Sequence, residues 1–213
     1  MIRLVQGSQK ARFPREIDEM HQLRARVFHE RLGWEVMVVD KWEIDIFDSL
    51  NPLYLLALDD NGTVRGSLRL LPTTGPNMLR DVFPYLLPEG ETVESGTVWE
   101  ASRLCVDHTF KGLNSASTIQ KITGELLLAL DEVGELAGLS AVVTVHDMYV
   151  NRILKRLKAQ GESLAAPQKV GGVLTHVCFF ERSDEVRQAL IDVTGIATSV
   201  IEPASLDQLI RVA

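Results

Sequence analysis

The sequence has 213 residues, 46% hydrophobic and 24% charged, an ordinary globular composition that excludes wholesale disorder. At roughly 100–200 residues per domain, the length predicts one domain over 1–213, large enough to bury a core without disulfides or metals. The balance of 22 Lys+Arg against 29 Asp+Glu, net −7, disfavours a general nucleic-acid binder, which needs a basic face. It equally disfavours a protein held to anionic membrane by its overall charge.

The first clear element is a helix over about 15–31. Ile17, Met20, Arg24, Val27, Phe28 and Arg31 recur there at three- and four-residue spacing, and Gly33 suits the C-cap region that follows. Residues 34–52 carry Trp34, Trp42, Phe47 and five acids without a clean period. They predict a long structured loop, a place where function often resides. LYLLAL (53–58), the turn Asp60-Asn61-Gly62 and TVRGSLRLLP (63–72) predict a β-hairpin. A Gly/Pro-rich stretch with a short helical turn near Met78–Phe83 follows, then a strand over about 97–107.

Farther on, Ile119, Ile122, Leu126, Leu130 and Val133 predict a helix over about 115–137. SAVVTVH (140–146) reads as a buried strand, MYVNRILKRLKAQG (148–161) as a helix stopped by Gly161, and GGVLTHVCFFE (171–181) as the last strand. Ser183 is placed to N-cap a helix from about 184, and a short one follows near 204–211. The strand–helix–strand unit supplies parallel neighbours and the hairpin antiparallel ones, so a mixed sheet with helices on both faces is expected.

The N-terminal MIRLVQGSQKARFPREIDEM is too polar for a signal peptide. No apolar run approaches the ~18–20 residues of a membrane span. Two distant cysteines, Cys105 and Cys178, and scattered histidines give no metal-ligand spacing. A cytoplasmic, metal-free protein with reduced thiols is expected.

Three features resist a purely structural reading. Arg24 shares the apolar face of the first helix with Phe28, four residues on; the alternative is an arginine snorkelling at the edge of the stripe. Glu43, Asp45 and Asp48 interleave with Trp42, Ile44, Ile46 and Phe47. Buried together, three carboxylates demand cations, whether arginines, a metal or a positively charged ligand; the alternative is a solvated acidic loop. Arg69, Glu100 and Arg103 lie within apolar strands, where charge is unusual unless paired or functional. Period two puts Glu100 and Ser102 on one face and Arg103 on the other. A pocket shared by Glu100 and Arg103 therefore requires a bulge or strand splay near Ala101–Ser102.

The segments LRARVFHERLGWEV (23–36), EIDIFDSLNPLYLLA (43–57), GSLRLLPTTGPNMLRDVFP (66–84) and VWEASRLCVD (98–107) resemble the acyl-homoserine-lactone synthases, the autoinducer synthases of bacterial quorum sensing. The match keeps the family's order and spacing over most of the first half. The resemblance implies a three-layer α/β/α sandwich with a mixed, mostly antiparallel sheet, similar to that of the N-acetyltransferases. The pyrophosphate loop of those enzymes carries two glycines; here the junction reads HTFKGLNSAS, with one. A generic acetyl-CoA enzyme is therefore disfavoured.

The resemblance further implies two substrates, S-adenosyl-L-methionine and an acyl thioester on acyl carrier protein or coenzyme A, and no separate cofactor. The family's charged and aromatic set falls on Arg24, Phe28, Trp34, Glu43, Asp45, Asp48, Arg69, Glu100 and Arg103. All but Glu100 are expected to bind S-adenosylmethionine. The acids and the faces of Phe28 and Trp34 suit its cation, and the arginines can pair the acids and hold its carboxylate. Glu100, Ser102 and Arg103 form the expected catalytic group, with Glu100 as base for the attacking amine and N–H groups freed by the bulge as an oxyanion site. Cys105, in an apolar strand, is expected to pack rather than react. An acyl pocket between sheet and long helix is expected at Met78, Ser102, Leu104, Val143, Thr144, Val145 and Met148, with Thr144 suggesting a hydrogen bond to an oxygen at acyl position three. The basic run Arg152, Lys155, Arg156 and Lys158 is either a solvated helix face or a dock for acyl carrier protein or coenzyme A phosphates.

Overall fold

A computed structural model describes residues 1–109 and 115–209. The elements run β1 (Ile2–Gln6), α1 (Pro14–Arg24), β2 (Val38–Val39), β3 (Trp42–Glu43), β4 (Leu53–Leu58), β5 (Val64–Pro72), α2 (Met78–Asp81), β6 (Val98–Val106), α3 (Ser115–Leu136), β7 (Ala141–Asp147), α4 (Met148–Arg156), β8 (Glu162–Ser163), β9 (Gln168–Val170), β10 (Val173–Glu181) and α5 (Asp184–Thr194). The main sheet has the order β1-β4-β5-β6-β7-β10-β8, with β9 also on β10. Every pairing in it is antiparallel except β6 with β7.

Alternation along the strands divides the core between two faces. Leu53, Leu55, Leu68 and Leu70 pack with Ile122, Leu126, Leu157 and Leu190, beneath α3, α4 and α5. Tyr54, Leu56, Val64 and Cys105 pack on the other face with Ile17, Met20, Leu23 and Phe28, from α1 and its continuation. The mixed sheet between helical layers is the expected architecture.

Several local features depart from the sequence reading. The N-terminal strand β1 is not predicted there; it pairs β4 from Ile2–Ala57 to Gln6–Leu53. The first helix keeps its span, but Ala25–Arg31 is π-helical, with Leu32 N–H reaching Val27 C=O at 3.1 Å. Gly33, at φ 65°, ends it, as the C-cap signal predicts. The segment 34–52 contains the small β2–β3 hairpin, turned by Asp40 and Lys41 at φ 50° and 77°. Two-residue strands leave no readable period.

The helix over 148–161 stops at Arg156, and Lys158 at φ 55°, rather than Gly161, marks the reversal. Gly161 serves a different need: a Cβ there would lie 2.6 Å from the Phe179 carbonyl oxygen. The Ser183 cap is present, accepting from Val186 N–H. The final helix is a 3-10 segment over Pro203–Gln208. Residues 110–114, the core of the single-glycine junction, lie outside the described residues.

The feature that positions the site is β6. It pairs β7 only at Val98–Ala141, Trp99–Val142 and Glu100–Val143, and the shared ladder stops there. On its other edge, Arg69 pairs Ser102 while Ser67 pairs Cys105, so β6 carries one extra residue. Arg103 lies in that bulge at φ 56°. Splay and bulge therefore occur together, within three residues of Glu100.

Candidate active site

The acidic run is folded by its own chemistry. Asp45 accepts from Phe47 N–H and Asp48 accepts from Asp45 N–H, a reciprocal capping box around a 3-10 turn. That turn presents Asp45 and Asp48 beside Glu43, and three arginines from three separate elements meet them.

Arg24, fully buried, holds Glu43 at 2.5 Å and both oxygens of Asp48 at 2.8 and 3.0 Å. Arg69 reaches Asp45 at 2.5 Å and Asp48 at 3.0 Å. Arg103 reaches Glu43 at 2.9 Å and Asp45 at 2.8 Å. Three carboxylates and three guanidinium groups cancel in charge, as burial requires. Burial alone would raise the Asp48 carboxyl, but Arg24 and Arg69 hold it far below the ordinary range. Tyr54, which the sequence reading does not single out, donates to Asp48 at 2.9 Å.

This arrangement bears on two expectations: the arginines pair the acids, one of the alternatives the sequence left open, and an aromatic face is already taken. The acids are balanced by the protein's own cations, so they form a rigid wall rather than an open cation trap. The Phe28 ring lies under Arg103 at 5.5 Å and stacks on Trp34 at 5.3 Å, so a guanidinium already occupies one of its faces. The bulge is what brings Arg103 to this side, with Glu100 and Ser102.

Among the described residues, Arg69 Nη2 and Arg103 Nη1 converge on Met78 Sδ, each at 3.2 Å. A thioether is a weak acceptor, so these are the least satisfied donors of the cluster. Arg69 Nε contacts the Ser102 hydroxyl at 3.3 Å. Glu100 is buried; its Oε2 accepts from Leu79 N–H at 2.6 Å, and among the described residues its Oε1 has no hydrogen-bond partner. Burial raises its carboxyl above the usual carboxylate value, against the pull of the Leu79 and Met78 N–H groups. Asn77 positions those groups by capping α2 with its side chain on Arg80 N–H, a signal legible in the sequence as Asn before a short helix.

One cleft of about 1430 Å³ is lined by Glu43, Asp45, Met78, Glu100, Ser102 and Arg103, whereas Arg24, Asp48, Tyr54 and Arg69 are buried outside its lining. Its wall includes Glu43, Asp45, Phe28 and Trp34, then Met78, Glu100, Ser102 and Arg103, and an apolar arm of Leu104, Ile119, Leu127, Leu130, Val142 and Phe180. Its walls come from both faces of the sheet, so it passes through the opening between β6 and β7. Of the expected acyl-pocket residues, Met78, Ser102, Leu104, Thr144 and Val145 line it. Val143 is instead packed with Leu79, Leu86 and Val98. Neither it nor Met148 is part of the wall.

Arg152 and Arg156 lie on the rim, whereas Lys155 and Lys158 are exposed outside it. Cys105 is buried against Ser67 at 3.1 Å, and burial pushes its thiol up to about 11, consistent with packing. Among the described residues, no group of three His, Cys, Asp or Glu is arranged to hold a metal ion, and no helix is long and apolar enough to cross a membrane.

A family model described as autoinducer synthase matches residues 8–190. A probable acyl-homoserine-lactone synthase of Sinorhizobium fredii is 38% identical over 76% of this chain and 80% of its own. The crystal structure of the acyl-homoserine-lactone synthase LasI superposes with a TM-score of 0.79 at 32% identity, covering 90% of this chain and 94% of LasI. TofI, solved in a ternary complex with an inhibitor and methylthioadenosine, gives 0.70 at 29% identity over 89% and 91% of the two chains. An acyl-CoA N-acyltransferase from Pseudomonas aeruginosa shares the fold, with a TM-score of 0.52 at 13% identity over 84% and 98%.

Proposed function

The chain belongs to the autoinducer synthases, the acyl-homoserine-lactone synthase family, and on that premise we propose how its residues carry the reaction. The enzyme is an acyltransferase that joins S-adenosyl-L-methionine to an acyl thioester, making an N-acyl-L-homoserine lactone and releasing methylthioadenosine. The substrate amine attacks the thioester carbonyl and the thiol leaves. The carboxylate of the same substrate then attacks its γ-carbon, breaking the bond to the sulfonium and closing the lactone.

The observation that carries the assignment is the state of Glu100. A buried carboxyl with a raised pKa, one of whose oxygens has no hydrogen bond among the described residues, lines the cleft near Ser102 and Arg103. It accepts the proton of the attacking amine, directly or through a water. S-adenosylmethionine binds against Trp34, Glu43, Asp45 and Arg103, which line the cleft, with Arg24, Asp48 and Arg69 buried behind them as the support that makes that wall neutral. Its carboxylate takes the donors of Arg69 and Arg103 that now face Met78 Sδ, a much better acceptor replacing a weak one.

The tetrahedral oxyanion forms beside Arg103 and Leu104, which the bulge leaves without ladder partners in β5. The acyl chain enters the apolar arm, with Thr144 on its wall. Acyl carrier protein, rather than free coenzyme A, is the donor that uses Arg152, Lys155, Arg156 and Lys158, all exposed on α4 and its end.

Incubation of the purified chain with S-adenosylmethionine and a mixture of acyl thioesters tests the reaction. Methylthioadenosine and an extractable acyl lactone are expected in equal amounts. Acylated product without methylthioadenosine would mean an N-acyltransferase that closes no lactone, and would overturn the proposal.

A further inference from the structure

His146 lies on β7 three residues past the last pair with β6, on the face shared by Val142 and Thr144. It lines the cleft, is 6% exposed, and its Nε2 has no hydrogen-bond partner among the described residues. Its surroundings are specific. The ring stacks on His176 at 5.7 Å and leans on Phe180 at 6.3 Å. Nδ1 faces the Thr144 hydroxyl at 3.5 Å. The Asn151 amide makes a 3.4 Å contact with His176 Nε2 and lies near enough to His146 to act on its titration.

A buried polar nitrogen left unpaired is costly. Here it sits in a ring packed against His176 and Phe180, on a wall that includes Leu104, Val142 and Thr144. We propose that His146 reads an uncharged oxygen of the acyl thioester, pairing through Nε2 with a hydroxyl or carbonyl that lies in the opened gap between β6 and β7.

The chemistry follows from the pair on the strand. When the Thr144 hydroxyl donates to Nδ1, the proton resides on Nε2, which then donates to a carbonyl or hydroxyl oxygen. In the other tautomer, Nε2 accepts and suits a hydroxyl alone. Burial lowers the imidazole pKa to about 4, against the opposing pull of Asn151 and Asp147 and with His176 adding to the lowering. The ring is therefore neutral near pH 7 and suited to a neutral partner rather than a phosphate. An unsubstituted hydrocarbon chain would leave Nε2 unpaired. The thioester substrate offers two sources of such an oxygen: a substituent on the acyl chain, or an amide of the pantetheine arm.

The inference rests on the reading of the apolar arm as the acyl-thioester channel, and the test separates the two. Lactone formation is measured for His146→Leu and His146→Gln with three coenzyme A thioesters of equal chain length: unsubstituted, 3-hydroxy and 3-oxo. If the acyl oxygen is read, His146→Leu lowers kcat/KM for the oxygenated chains about tenfold relative to the plain chain, the scale of one neutral hydrogen bond. His146→Gln should recover part of that ratio.

If the pantetheine amide is read, all three coenzyme A thioesters lose about tenfold in kcat/KM. The loss then disappears when minimal thiol esters lacking the pantoate amide are used as donors, with the KM for S-adenosylmethionine unchanged. A ratio within one enzyme does not depend on how much of the variant folds. Ratios and donor dependence unchanged within twofold in both variants would overturn the role of His146. Leu127→Trp tests the premise, since it should exclude long chains while sparing short ones. Failure of that variant to shift chain length would overturn the channel reading itself.

Discussion

Glu100 holds one oxygen against Leu79 N–H and, among the described residues, leaves the other without a hydrogen bond, so replacing it by glutamine preserves the bonded half and removes the proposed base. Glu100→Gln is expected to lower kcat about 10²-fold or more, with a smaller change in the KM for S-adenosylmethionine; near-normal kcat would remove it from that role. Arg24 is different in kind, because it is surrounded by the carboxylates it neutralises. Arg24→Met strands Glu43 and Asp48 in the interior, a loss of about 3–5 kcal/mol. That is roughly 6–20 °C in Tm at this chain length, and a urea midpoint near wild type would show those acids to be solvated. His146 gives a pH signature. Its pKa is depressed from 6.5 to about 4, so its stabilising contribution is present above pH 6.5 and is lost as pH falls toward 4. The wild-type protein should therefore lose Tm across that window more steeply than His146→Leu, by an amount on the order of 3 kcal/mol at full titration; parallel curves would contradict the buried neutral ring. Arg69, Glu100 and Arg103 were legible because charge inside an apolar strand is conspicuous, and Arg24, Glu43, Asp45 and Asp48 because charge recurs there among apolar residues. Tyr54 and His146 were not, since a tyrosine or neutral histidine in a strand is equally at home in any core.

At the scale of elements, the bulge in β6 decides which side chains meet. Arg103 stands at φ 56°, a conformation that costs a residue with a Cβ roughly 1–2 kcal/mol and glycine almost nothing. Backbone and side chain can thus be separated. Arg103→Gly should melt several degrees above Arg103→Val, while both lose lactone synthesis because neither pairs Glu43 and Asp45 or supplies a cation. Equal melting temperatures would show that the positive φ carries no strain. The need for such an irregularity was readable before the fold, because a period of two puts Glu100 and Arg103 on opposite faces and a common pocket demands otherwise. Its position was not readable, since the extra residue is counted against β5, which lies thirty residues away in the chain. The same limit explains β1, whose identity as a strand depends on β4 fifty residues later. The helix end at Lys158 escaped for another reason: a non-glycine left-handed residue leaves no mark in the sequence, and Gly161 is present because β10 passes close behind it.

The whole molecule carries −7, yet residues 148–158, MYVNRILKRLK, contain four basic residues and no acid. On the proposed docking, an acidic carrier protein is repelled by the net charge and attracted by this local basic run, beside the cleft that Arg152 and Arg156 line. Docking of this kind is long-ranged and screened within about 8–10 Å at physiological salt, so it acts on encounter more than on chemistry. The pair Lys155→Glu and Arg156→Glu should therefore raise the KM for acyl carrier protein thioesters about tenfold or more, and leave the KM for S-adenosylmethionine and the kcat at saturation near wild type. Raising the salt concentration should weaken the wild-type enzyme toward the variant for carrier-bound donors and leave small thioesters unaffected, because their binding depends on the apolar arm. An equal rise in both KM values would mean that α4 supports the cleft rather than the partner. A salt-independent KM for the carrier would mean that its contact lies elsewhere on the acidic surface and is not electrostatic.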